Sequence, residues 1–159
     1  IPFDAALPWT PYTLEDWFAR VVTGIRVRSD IGYSFCCEPS GVINIQTRSP
    51  LPAGQATDYW IPPGGVVGLG DLMILMVHEA RHAEGAVHKC TWSAGAGWVD
   101  DETIAEMGSW AVQYYLNLWL AEHVSTAFLA GPPGDRTFYQ VRHEQNAEQI
   151  RDSRFCNEP

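Results

Sequence analysis

The segment from Leu72 to Glu84 constrains the fold most, because it joins a run of apolar residues directly to a run of ionisable ones, LMILMVHEARHAE. Asp71 precedes it as a candidate N-cap, and Gly85 follows it as a residue that favours the left-handed conformation, so one helix is predicted. A helix that begins with so apolar a run must be buried, and burying unpartnered His, Glu and Arg side chains is costly. The fold must therefore supply partners for the polar end of this helix.

The sequence predicts one α+β domain over residues 1–159, since its length and its 46% apolar content suffice for a core. Thr13 and Asp16 indicate the start of a short first helix that ends near Val22. The runs IRVR, YSF and VINIQT are β-branched or aromatic and are separated by turn residues. They predict a small antiparallel or mixed sheet in the N-terminal half, packed on the buried helix. A further short strand is expected near residues 58–61.

Two helices are predicted in the C-terminal half, after a loop that contains two glycines. Asp100 or Asp101 opens the first, a long helix that runs to Val124 and is interrupted only by Gly108. A turn at GPPGD follows, and the polar segment FYQVRHEQNAEQI, residues 138–150, predicts a shorter final helix. The fold therefore ends in two successive helices.

The charge balance bears on the partners of the chain. Its net charge is −9, and its 10 Lys and Arg residues form no basic run. Long-range attraction to phosphate backbones or anionic lipid is therefore lacking, and nucleic acid is not an expected partner. No apolar run approaches the ~20 residues that cross a bilayer, so no membrane span is expected in this chain.

The chain has four cysteines, Cys36, Cys37, Cys90 and Cys156. Their spacing suits neither a zinc ribbon nor a C-x-x-C redox motif. Their even number and a start at Ile1 predict disulfides in a processed protein of an oxidising, extracytoplasmic compartment; four buried thiols in a cytosolic protein are the alternative. Adjacent Cys36 and Cys37 are expected to pair with distant partners rather than with each other. A disulfide at Cys90 would hold the loop before it.

His78 and His82 lie one helical turn apart in the motif His-Glu-Ala-Arg-His, and therefore share one face of the predicted helix. Two neutral imidazoles at this spacing can bind one Zn²⁺ ion. Glu79 between them can then accept a proton from a water whose pKa the ion lowers to about 7. Ala80 and Arg81 are spacers in this interpretation. The motif thus predicts a zinc hydrolase.

The motif continues to Gly85 and His88, giving H-E-x-x-H-x-x-G-x-x-H over residues 78–88, and in this it resembles the metzincin metallopeptidases. The resemblance implies a zinc metallopeptidase that acts on a peptide or protein substrate, with Glu79 as general base. The implied zinc ligands are His78, His82 and His88. The family also carries a methionine-containing turn beneath the metal. Here the methionine that follows the motif is Met107, which falls within the predicted long helix.

Two alternatives stay open at this point. Glu102 lies in D-E-T-I-A-E, which is similar to the glutamate helix of the gluzincins, with Glu106 as the acidic partner. Either glutamate is therefore an alternative third ligand or a partner of the ligands. A non-catalytic secreted structural or binding protein is the second alternative, in which the His and Glu cluster forms a structural metal site or a buried polar network.

Several other residues are weaker candidates. Possible donors to a developing oxyanion are His123, His143, Tyr114, Tyr115 and Tyr139. Four tryptophans are candidates to line a substrate cleft: Trp92, Trp98, Trp110 and Trp119. Each of these residue types also occurs commonly as an ordinary core or surface residue.

Overall fold

The computed structural model describes residues 3–28, 30, 31, 34–38, 40–46, 69–91, 99–123 and 136–157. They form an α+β fold, as predicted. The helices are α1 (Leu14–Val21), α2 (Leu69–Ala83), α3 (Ser109–His123) and α4 (Arg136–Ser153). The strands are β1 (Gly24–Arg28), β2 (Phe35–Cys36), β3 (Val42–Gln46), β4 (Cys90–Thr91) and β5 (Val99–Asp100). The strand expected near residues 58–61 and the GPPGD turn lie outside the described residues.

Helix α1 begins where the sequence predicts. The side-chain oxygen of Thr13 accepts a hydrogen bond from the backbone N–H of Asp16 at 3.3 Å, which satisfies one of the free donors of the first turn. Trp17 is buried in the core, and its indole N–H donates to the carboxylate of Glu84 at 3.0 Å. This bond fastens α1 to the C-terminal end of α2.

Strand β3 is the centre of a three-stranded mixed sheet, parallel to β1 and antiparallel to β2. All five residues of β3 are buried, as its unbroken β-branched pattern suggests. Strands β2 and β3 both contact α2, so the predicted packing of a small mixed sheet on this helix is confirmed. The side chains of Ile43, Val77, Val112 and Leu116 form the centre of the core. Burying each stabilises the fold by about 1.5–3 kcal/mol.

Helix α2 extends further toward its N-terminus than predicted. It begins at Leu69, so Asp71 lies within its first turn and is not its N-cap. The predicted end is confirmed, since Gly85 has φ = +98°. The N–H groups of Gly85 and Ala86 donate to the carbonyls of His82 and Arg81, which closes the helix sharply.

The long helix predicted from Asp100 or Asp101 begins only at Ser109. The reason lies in the backbone of Asp101, whose N–H donates to the carbonyl of Arg154 and whose carbonyl accepts from the N–H of Cys156, both at 3.1 Å. These bonds keep Asp101 extended. Residues Ile104–Glu106 form a single 3-10 turn before α3 begins. Distant partners thus override the local preference for helix.

The final helix is not the shorter one, because α4 has 18 residues and α3 has 15. The helix is extended by its packing along α3, against which it buries His143, Ala147 and Ile150 at spacings of three and four residues. In the loop predicted before α3, strands β4 and β5 form an antiparallel pair.

The structure joins Cys90 to Cys156 and Cys36 to Cys37. The expectation that Cys36 and Cys37 have distant partners is therefore wrong. Because Cys90 and Cys156 pair with each other, the chain has no distant cysteine left for Cys36 or Cys37. Among the described residues, no helix is long and apolar enough to cross a membrane.

Candidate metal site

Three histidines converge at the C-terminal end of α2. His78 and His82 share one face of the helix, and their ring centroids are 5.1 Å apart. The turn at Gly85 reverses the chain and returns His88 to the same place, with its ring centroid 5.5 Å from that of His78 and 4.7 Å from that of His82. One candidate ligand atom from each histidine lies within 4.8 Å of the other two. This group can hold a metal ion.

Hydrogen bonds fix the orientation of two of the rings. The Nδ1 atom of His82 lies 2.8 Å from the carbonyl oxygen of Ala86, and that of His88 lies 2.8 Å from Oδ1 of Asp101. A carbonyl and a carboxylate only accept hydrogen bonds, so the hydrogen in each case is on Nδ1. In the neutral form of either ring the Nε2 atom then keeps its lone pair, the form in which histidine binds a metal.

Asp101 connects the histidine group to α3. Its side chain is 3% exposed, and its second oxygen, Oδ2, accepts from the backbone N–H of Trp110 at 2.8 Å and of Ala111 at 3.3 Å. Gly108 lies against this carboxylate so closely that a Cβ there would be 2.3 Å from Oδ2. The sequence indicated Asp101 as a helix cap but did not predict its bond to His88. The available signal was that ligand histidines usually donate to a carboxylate or carbonyl.

Trp110 packs against the histidines. Its ring centroid is 4.5 Å from that of His78 and 6.0 Å from that of His88. The guanidinium carbon of Arg154 lies 4.4 Å from the centroid of the Trp110 ring, and Arg154 also pairs with Asp100 at 3.2 Å. Trp110, which the sequence suggested as a cleft residue, therefore packs directly against the rings of His78 and His88.

The electrostatics of His78 and His82 favour neutral imidazoles. Burial lowers the pKa of His78 well below its usual value, and the neighbouring His82 and His88 lower it further. Burial also lowers the pKa of His82, against the effect of its hydrogen bond to Ala86. The Nδ1 atom of His78 is buried and has no hydrogen-bond partner among the described residues. Three imidazoles, one of them with an unsatisfied buried Nδ1 atom, are a donor set that suits transition-metal ions, Zn²⁺ among them.

Glu79 follows His78 on α2, and 6% of it is exposed, the same fraction as for His78. The two alternative ligands lie elsewhere. Glu102 and Glu106 face the ammonium group of Lys89, at 3.4 and 2.9 Å, and their side chains are 38% and 34% exposed. Among the described residues, the group that can hold a metal consists of the three histidines.

Arg81 is more than a spacer in the motif. Its guanidinium donates twice to the carbonyl of Met107, at 3.0 and 2.8 Å, and pairs with Glu84. Met107 lies in a turn with φ = 54°, and not within a helix as predicted. The turn before α3 is therefore tied to the same helix that carries His78 and His82.

The weaker candidates lie outside the histidine group. His143 of α4 is buried against α3, and its Nδ1 atom lies 2.9 Å from Oδ1 of Asn117. His123 stacks on Trp119 near the surface, with ring centroids 4.7 Å apart. Tyr114 and Tyr115 pack on each other. Trp92, Trp98 and the side chain of Tyr139 lie outside the described part of the structure.

Comparisons of this chain with protein-family models, with curated proteins and with solved structures found no match. The interpretation of the site therefore depends on its residues and their geometry.

Proposed function

We propose that this protein is a zinc-dependent hydrolase, and specifically a metallopeptidase that resembles the metzincins. The observation that carries the proposal is the convergence of His78, His82 and His88, with one candidate ligand atom from each within 4.8 Å of the others. Catalytic zinc sites typically use three protein ligands and keep a fourth position for water or substrate. When bound, zinc lowers the pKa of its water to about 7 and polarises a substrate carbonyl.

Glu79 is the general base in this proposal. It follows a proposed ligand directly on α2, and 6% of it is exposed. A carboxylate at this position accepts the proton of the attacking water and then donates it to the leaving amine, which completes the cleavage of a peptide bond. The expected substrate is accordingly a peptide or a protein.

A catalytic site is favoured over a structural one by the number of ligands. A structural zinc site is closed by four protein ligands. Within the described part of the chain, no Cys, Asp or Glu joins the three histidines, and Glu102 and Glu106 are engaged with Lys89. This arrangement supports an open fourth position.

The two disulfides support a further part of the proposal, an extracytoplasmic location. Disulfides form and persist in oxidising compartments, and cytosolic thiols are usually kept reduced. Cys90 and Cys156 stabilise the segment next to His88, so the proposed enzyme would depend on that environment.

The first experiment is elemental analysis of the purified protein for metal content per chain. We expect about one zinc in the wild type and in Glu102→Ala, a control that changes a nearby carboxylate outside the group. We expect the metal to be lost in His88→Ala. A wild type that binds no metal after zinc is supplied would overturn the proposal and leave a buried polar network.

The second experiment separates metal binding from catalysis through Glu79→Gln. This variant keeps the size and shape of the side chain but lacks a group that accepts a proton. It should retain one zinc and lose peptide cleavage by about 10²–10⁴-fold, measured on a mixed peptide library by mass spectrometry. A variant that cleaves at the rate of the wild type would exclude Glu79 as the base.

A further inference from the structure

A second candidate site lies on a different face of α2. A groove of about 770 Å³ opens between α1, α2 and α3. The α2 residues that line it are Met73, Met76 and Val77, which are spaced by three and four residues and so share one side of the helix. At 100° per residue, His82 lies directly opposite Met73. The groove is therefore separate from the candidate metal site.

The lining of the groove is largely apolar. Besides the α2 residues, it includes Phe3, Leu14, Phe18, Leu116, Trp119 and Leu120. The two methionines, Leu14, Phe18 and Trp119 are only partly buried, so large apolar side chains remain in contact with solvent. The volume falls in the range of about 300–1,000 Å³ that is usual for small-molecule sites. Unbranched methionine side chains adapt easily to a flexible apolar ligand.

Two carboxylates also line this groove, on the side of α1. They belong to Asp4 and Glu15, and both residues are exposed; the basic residue among the described lining is His123, on α3. Neither forms an ion pair or a side-chain hydrogen bond with another described residue. The net charge of −9 further favours a cation over an anion at this surface. Among ligands with an apolar chain, this groove should therefore prefer those that carry a positive charge.

We propose that the groove binds a single-chain cationic amphiphile as a free small molecule. The alkyl chain lies against the methionines and aromatic side chains, and the ammonium head lies beside Asp4 and Glu15. Burial of the chain supplies most of the affinity, and the two carboxylates supply the preference for positive charge. This binding is independent of the proposed peptidase activity, because the histidines are on another face of α2.

Isothermal titration calorimetry with three probes, each below its micelle concentration, tests the proposal on the whole chain. The probes are octyltrimethylammonium, octyl sulfate and tetramethylammonium. We expect one-to-one binding of octyltrimethylammonium, about tenfold tighter than that of octyl sulfate with the same chain. Tetramethylammonium, the head group alone, should give no detectable binding. Equal affinity for the two octyl probes would overturn the proposal.

Variants then locate the binding. Ala19 lines the groove from an exposed position on α1, so Ala19→Trp should obstruct part of the groove and weaken binding. The exposed pair Asp4→Asn and Glu15→Gln should together remove the preference for the cation, and this double variant does not disturb the core. Glu148→Gln, an exposed acid of α4, is the control and should change nothing. Unchanged binding in a folded Ala19→Trp protein, or an unchanged preference in the double variant, would refute the assignment.

Discussion

At the scale of single residues, the carboxylate of Asp101 has two functions that require different atoms. Oδ1 accepts a hydrogen bond from His88, and Oδ2 accepts hydrogen bonds from the first turn of α3. An amide at this position has only one oxygen, so it can serve one partner and must present its NH₂ group to the other. Position 101 therefore requires a carboxylate, and an amide of the same size cannot replace it.

Asp101→Asn is predicted to weaken zinc binding by about 10–100-fold, the usual effect of losing such a partner. If the amide oxygen keeps capping α3, its NH₂ group faces Nδ1 of His88. That contact moves the ring hydrogen from Nδ1 to Nε2 and so removes the lone pair that would bind the metal. Competition with a zinc chelator measures the change. Glu102→Gln, which faces Lys89, is the control, and equal affinity in both variants would contradict the role of Asp101.

Gly108 is the second residue on which the site depends. A Cβ at this position would lie 2.3 Å from Oδ2 of Asp101, so Gly108→Ala should displace the carboxylate and destabilise the fold by about 1–3 kcal/mol. Denaturant unfolding measures the loss. The matched control is Gly24→Ala, where a Cβ would make only an ordinary contact of 3.8 Å with Val42. Equal stability of the two variants would show that the carboxylate can move aside freely.

At the scale of elements, the segment that carries His88 is held by the end of the chain. Cys90 of β4 is joined to Cys156, and residues 154–156 bond to the backbone of Asp101 next to β5. The site is therefore supported by a strand pair and by a segment that follows α4. Elements far apart in sequence determine where the third histidine lies.

Replacing Cys90 and Cys156 with alanine is predicted to cost about 4 kcal/mol of unfolding free energy, since the disulfide closes a loop with a sequence separation of 66 residues. Zinc affinity should fall as well, because β4 loses one of its anchors. Denaturant unfolding and chelator competition measure the two effects. Alanine at Cys36 and Cys37 is the control, because a bond between neighbours closes no long loop. Similar losses in both double variants would argue against the loop-closure account.

At the scale of the whole molecule, His143 makes the stability depend on pH. It is 1% exposed between α3 and α4, and burial, with a contribution from Arg142, lowers its pKa to about 4. In the unfolded chain a histidine takes up its proton near pH 6.5. The contribution of neutral His143 to the stability is therefore complete above about pH 6.5, falls as the pH decreases, and is fully lost below about pH 4.

We predict that this loss amounts to about 3 kcal/mol and that His143→Gln removes it. The variant keeps an N–H donor for Asn117 but has no proton to gain. The unfolding free energy of the wild type minus that of the variant, measured from pH 7 to pH 4, should decrease by about 3 kcal/mol as the pH falls. His123→Gln, at a half-exposed histidine, is the control and should run parallel to the wild type. Parallel curves for His143→Gln would refute the prediction.

Much of the fold follows from neighbours in sequence, and these parts were predicted. The cap at Thr13, the end of α2 at Gly85, the strands of the mixed sheet and the α+β class are confirmed. The same holds for the meeting of the three histidines, because two share a helix face and a glycine turn returns the third. The single domain over residues 1–159, the zinc ion and the peptidase activity stay predictions.

The sequence by itself determined the periodic and local features of this protein, since helix spacing, caps and turns depend on residues only a few positions apart. The tertiary structure alone decided that α3 begins at Ser109, that Asp101 binds His88, and which cysteines pair. In the first two cases a hydrogen bond to a residue more than eight positions away competes with the local preference. In the third, pairing depends on which sulfurs the fold brings together. The energy of such contacts depends on where the whole chain places their partners, so no local pattern can reveal them.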